Sequence, residues 1–216
     1  MRGGHLIRHD LSDRLIHLTR GHTPAGNRVE KVIRDREAMA NFCSIMRSAQ
    51  LHGGTGNIVG GHRCVCFSEA PIASLAHMLA PGTNKYAPLG VMVDKTWLFA
   101  QGGRPVIYQP VAEYEELPET HKYRHVNYDP INATGDEQDV SWEREWRVET
   151  DSIALDPALV TLVVPYRSIL ETFKGQHDNR QRYSVWATGE VAASSVESFP
   201  WHFLVLQDLG LEIDFG

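Results

Sequence analysis

The sequence predicts an α+β fold of mixed, largely antiparallel sheets with flanking helices. Segments of strand character outnumber helical ones and often follow one another directly, without the regular strand–helix alternation of a doubly wound sheet. Neither a repeat, a low-complexity tract nor a long Ser/Pro/Gly linker divides the 216 residues. A single domain over 1–216 is therefore expected.

Each element has a local reason. Residues 14–19, RLIHLT, read as a short strand leading into a Gly/His/Pro/Asn loop. Residues 35–48 read as a helix capped by Asp35, because Met39, Phe42, Ile45, Met46 and Ala49 recur at three- and four-residue spacing. The segment 62–68, HRCVCFS, alternates between two faces, and Pro71 then opens a helix over 71–79, at a position where a missing amide hydrogen costs nothing. Strands follow at 89–93 and 105–108, separated by a helical turn at 95–101 that Gly102-Gly103 stops. A polar loop spans 127–139. Residues 141–149, SWEREWRVE, alternate with period two, placing Trp142, Arg144, Trp146 and Val148 on one parity and the glutamates on the other. An apolar strand at 159–164, a helix at 166–173 and strands at 183–187 and 202–206 complete the reading.

Composition limits the function. Hydrophobic residues make up 42% and charged residues 22%, the balance of a globular chain. No stretch reaches the roughly 18 apolar residues of a membrane span, and the first residues lack the apolar core of a secretory signal, so a cytoplasmic location without membrane partners is expected. Cys43, Cys64 and Cys66 are an odd set, and partners at i and i+2 on a strand make a poor disulfide, so free thiols are expected. A formal net charge of -6 is not the footprint of a dedicated nucleic-acid binder. Positive charge is nevertheless uneven, with Arg2, Arg8, Arg14, Arg20, Arg28, Lys31, Arg34 and Arg36 crowded near the start and an acidic excess over 112–145.

The motifs of P-loop NTPases, Rossmann dehydrogenases, zincins and α/β-hydrolases are absent. His62, Cys64 and Cys66, with Cys43, form a CxC pattern within a strand rather than the CxxC knuckle of structural zinc, so the two strand cysteines read as small hydrophobes. Glu143 and Glu145 carry the most information: on a strand, i and i+2 point to one face. Two adjacent carboxylates are solvated, paired or catalytic. One suits gripping a sugar hydroxyl and stabilising an oxocarbenium-like centre, while its neighbour orients or deprotonates a nucleophile. The alternative is the solvent face of an edge strand.

His17 and Thr19 share a face at the end of the first strand, where an imidazole and a hydroxyl suit a ribose and a phosphate; alone, such a histidine is more often structural. Ser68 sits at a strand-to-helix junction, suited to capping or to supporting a glutamate. Tyr108, Tyr114, Tyr123 and Tyr128 precede the acidic segment, and an aromatic there can stack on a planar ring.

Taken in order, HLT, VCFSEAP, GRPVIYQP and EREWRV resemble the ADP-ribosyltransferase fold, with a layout closest to bacterial toxin and phage-defence members of the DarT type. The resemblance implies sheets arranged around an NAD cleft and a mono-ADP-ribosyltransferase that cleaves NAD and passes ADP-ribose to a nucleic-acid base or a protein. It implies His17 and Thr19 at the adenosine ribose, Ser68 in support, Tyr108 or Tyr123 on the nicotinamide side, Glu145 in catalysis and Glu143 in activating or selecting the acceptor. A toxin or antiphage role, with an antitoxin or chaperone as partner, follows from the same likeness. Two rivals stand beside it: a relative of the NAD-dependent RNA 2'-phosphotransferases, which needs basic residues for a phosphate and has no use for two glutamates, and a non-catalytic module of a defence system. The transfer reading requires the acidic pair and the His17 imidazole to share one cleft.

Overall fold

In the computed structural model, which describes residues 12–23, 27–69, 79, 86–130, 140–188, 198–211 and 213–215, the RLIHLT segment forms strand β1 (Arg14–Leu18). Helix α1 (Arg28–Ser48) comes next, and it starts at Arg28 rather than at Asp35. The Asn27 side chain accepts from the Glu30 amide at 3.0 Å, a sound N-cap. Asp35 is instead buried within the helix, 2.8 Å from the Lys31 ammonium and 3.2 Å from the Arg34 guanidinium. That paired charge set fills positions an apolar periodicity would occupy, which hides the first turns from a hydrophobic pattern.

Strands β2 (Gln50–His52), β3 (Cys64–Ser68) and β4 (Gly90–Asp94) follow, the last running into helix α2 (Lys95–Ala100). Asp94 caps α2 by accepting from the Thr96 and Trp97 amides at 2.8 and 3.1 Å. The helix ends where Gly103 donates to the Leu98 carbonyl at 2.9 Å, with Gly102 at φ +90°, a conformation that suits glycine. Then come β5 (Arg104–Pro105), β6 (Ile107–Gln109), β7 (His125–Asn127), β8 (Glu145–Glu149), β9 (Ser152–Ala154), β10 (Thr161–Val164), α3 (Arg167–Thr188) and β11 (His202–Val205).

Two expectations need correction here. Residues 183–187 are not a strand: they continue α3, because extending an existing helix adds one hydrogen bond per residue and outweighs the β preference of Tyr183 and Val185. Nor is 141–149 one strand, since only 145–149 pairs, after a 3-10 turn at Ser141–Glu143. The helix expected over 71–79, apart from its last residue, and the loop over 131–139 lie outside the described residues.

The backbone divides into two compact units, one from residues 1–17, 50–78 and 93–154, the other from 18–49, 79–92 and 155–216. In the first, β3 lies between β1 and β8, and β5 is added outside β8, every pairing antiparallel. The pair β2–β9 is antiparallel and the pair β6–β7 parallel. In the second, β10 pairs antiparallel with β4 and parallel with β11. Phe42 of α1, fully buried, meets Phe173 of α3 with ring centroids 5.9 Å apart. The fold is mixed α+β and mostly antiparallel, as the succession of strands predicts. No described helix is long and apolar enough to cross a membrane.

Candidate functional site

Register decides what meets what. Ser68 stands opposite Glu145, Cys66 opposite Arg147 and Cys64 opposite Glu149. Cross-strand partners share a face, so one side of the β3–β8 pair carries three small polar or sulfur side chains against three charged ones. The other side is apolar, with Val65 opposite Val148 and Phe67 opposite Trp146, all buried.

The two glutamates are joined by a turn, not by strand alternation. Glu143 ends the 3-10 turn and is 6% exposed; Arg144 follows at φ 47°, ψ 56°; Glu145 then begins β8. Left-handed backbone costs a non-glycine residue about 1–2 kcal/mol, so the surroundings must hold it there. They do so at four points. The Ser68 hydroxyl donates to the Glu143 carbonyl, the Arg144 amide to the Ser141 carbonyl at 3.1 Å and the Glu69 amide to the Arg144 carbonyl at 3.2 Å. The Glu145 amide donates to the Tyr108 hydroxyl at 3.0 Å.

Electrostatics follow from this packing. Burial pushes the Tyr108 phenol up to about 12, and the Glu145 and Glu143 carboxylates add to the effect. Burial, then the Glu145 carboxylate, raises the Cys66 thiol far above its usual range, and burial lifts Cys64 to about 11. All three cysteines are free. A raised thiol pKa disfavours the nucleophilic thiolate, in keeping with the reading of Cys64 and Cys66 as small hydrophobes. Glu145 receives the guanidinium of Arg147, from Nε to Oε1 at 2.8 Å and from Nη2 to Oε2 at 3.3 Å.

Four of the expected residues therefore meet: Glu143, Glu145, Ser68 and Tyr108. Tyr123 is buried with Ile58 and Cys64, Cys66 packs against the same cluster, and the Tyr123 carbonyl accepts from Arg147 at 2.9 Å. His17 does not join them. Ile16 stands opposite Ser68, which puts Ile16, Ser68 and Glu145 on one face and His17 on the other. The imidazole packs on Phe67 with centroids 5.8 Å apart, and its Nδ1 donates to the Cys66 carbonyl at 2.8 Å. His17 and Glu145 thus occupy the same end of the strand array on opposite faces, so a ligand touching both would have to wrap over that end. Thr19 belongs to the second unit and is 4% exposed, its hydroxyl donating to the Leu89 carbonyl at 3.0 Å.

The residue the sequence reading missed is Arg147. Its signal was present: in EREWR it has the parity of the glutamates, and an arginine on a carboxylate face of a strand is a pairing partner.

Tyr108→Phe is expected to destabilise the protein by about 1–3 kcal/mol, because the Glu145 amide loses its acceptor in a half-buried place. Equilibrium urea unfolding measures this, and an unchanged midpoint would show that water replaces the phenol at no cost.

No known family model, curated protein or solved structure matches the chain.

Proposed function

We propose that this chain is a mono-ADP-ribosyltransferase that cleaves NAD and passes ADP-ribose to a macromolecular acceptor, a nucleic-acid base or a protein, as a toxin or antiphage effector. The observation that carries the reading is the Glu143-Arg144-Glu145 turn. A left-handed arginine secured from Ser68, Glu69, Tyr108 and Ser141 fixes the backbone that joins the two glutamates, and strain of this kind clusters at functional sites. The expectation that His17 shares a cleft with the acids fails, since its imidazole lies on the opposite face against Phe67. NAD is then bound at the face of that turn alone, with no part for His17.

In this mechanism Glu145 accepts from a hydroxyl of the nicotinamide ribose and stabilises the positive charge that develops at C1′. The C1′–N bond breaks with its electron pair passing to the nicotinamide ring, whose positive charge is thereby neutralised. A nucleophile of the acceptor forms the new bond to C1′, and Glu143 takes the proton it loses. Tyr108, whose hydroxyl accepts from the Glu145 amide and whose ring meets Tyr128 edge-on at 6.3 Å, supplies an aromatic wall at the start of β8.

One observation favours a second reading, the non-catalytic module. The polar atoms expected to hold a ribose are engaged elsewhere: the His17 Nδ1 by the Cys66 carbonyl on the opposite face, the Thr19 hydroxyl by Leu89. Incubating pure protein with NAD, alone and with DNA, RNA or a protein extract, separates the two. Nicotinamide release is the expected result, and its dependence on one acceptor names the acceptor class. No release under any of these conditions refutes the transferase and leaves the binding module.

A further inference from the structure

We propose that Arg147 is the positioning residue of this site, the group that fixes the plane and direction of the Glu145 carboxylate; the inference rests on the transfer reaction proposed above. Its guanidinium is 3% exposed and makes bonds in two directions. Toward the site, Nε and Nη2 take both carboxylate oxygens, at 2.8 and 3.3 Å. Away from it, Nη1 donates to the Tyr123 and His125 carbonyls at 2.9 and 2.8 Å.

The second pair of bonds gives the first its meaning. A free arginine would follow a glutamate through its rotamers, whereas one anchored to two backbone carbonyls presents a fixed fork that the carboxylate must match. Glu145 and Arg147 are neighbours along one face of β8, so the strand pleat sets their separation as well. The bond to Oε1 is the shorter and that to Oε2 the longer, so the fork fixes the carboxylate plane while the remaining carboxylate lone pairs accept from a ribose hydroxyl. Lysine keeps the charge but cannot reach the carboxylate and both carbonyls from one point.

The test uses the full chain carrying Arg147→Met and, separately, Arg147→Lys, each checked for folding by thermal melting. Should Arg147→Met not fold, Arg147→Lys, which retains the buried charge, serves for both readouts. In steady-state nicotinamide release the expected result is a kcat about 100-fold lower with KM for NAD changed by less than about threefold, because misplacement by about an ångström costs that much in rate and little in ground-state binding. A folded variant with the wild-type kcat, or one in which KM alone rises, overturns the proposal while the transferase reading stands. If the wild type itself releases no nicotinamide, the transferase reading fails, and the crystal structure of the variant decides the role of Arg147. Displacement of the Glu145 carboxylate from its place beside Cys66 supports positioning, and an unmoved carboxylate overturns it.

Discussion

Glu145→Gln is expected to lower nicotinamide release from NAD by about 10³-fold with the fold retained, the scale reached when a preorganised group facing developing charge is removed. The amide matches the carboxylate in size and its oxygen can still accept from the Arg147 Nε, but it brings no negative charge to the C1′ centre. Some stability is lost as well, because the buried guanidinium keeps its bonds to the Tyr123 and His125 carbonyls and loses its counter-charge. Rates are therefore compared well below the melting temperature of the variant. Glu145→Asp serves as the control, since it keeps the charge and withdraws it by one methylene. Activity of the glutamine variant within tenfold of wild type would remove Glu145 from catalysis.

Phe42→Ala is expected to lower stability by about 3–5 kcal/mol, the range for emptying an aromatic site in a packed core. Phe42 is fully buried and meets the tilted ring of Phe173, so its removal leaves a cavity between α1 and α3. Domains hold only about 5–15 kcal/mol in total, and the variant should be marginal at room temperature. Urea titration measures the change, and a loss below about 1.5 kcal/mol would show that the two helices close the gap.

Much of the fold was legible because its signals are local. The strands at β1, β3, β4, β10 and β11 follow from short apolar runs bounded by turn residues, and α2 from the glycines that stop it, while its Asp94 cap appears only in the structure. The start of α1 was not, because its first turns are held by an Asn27 cap and by Lys31 paired with the buried Arg34 and Asp35 rather than by an apolar stripe. The end of α3 was misread for the opposite reason: Tyr183, Val185 and Trp186 carry strand preference, and the helix continues through them.

In the site, sequence spacing singles out the two acids but not the backbone between them. Alternation predicted two carboxylates on one strand face, whereas a left-handed arginine turns the chain between them. The difference arises from Ser68, Glu69 and Tyr108, which are far from Glu145 in sequence and reach it only through register and packing. His17 illustrates the same limit. Its position at the end of β1 was correct, but the face it presents depends on which residue stands opposite Ser68, and that pairing is Ile16.

The two-residue strand β5 has a further consequence. Among the described residues it is the outermost strand of its array, and one of its two residues, Pro105, has no amide hydrogen to offer. An extended segment approaching that border from another molecule finds almost no row of donors to align with, so cross-molecular sheet growth, the first step toward fibrils, is blocked on this flank by chain length and proline chemistry alone.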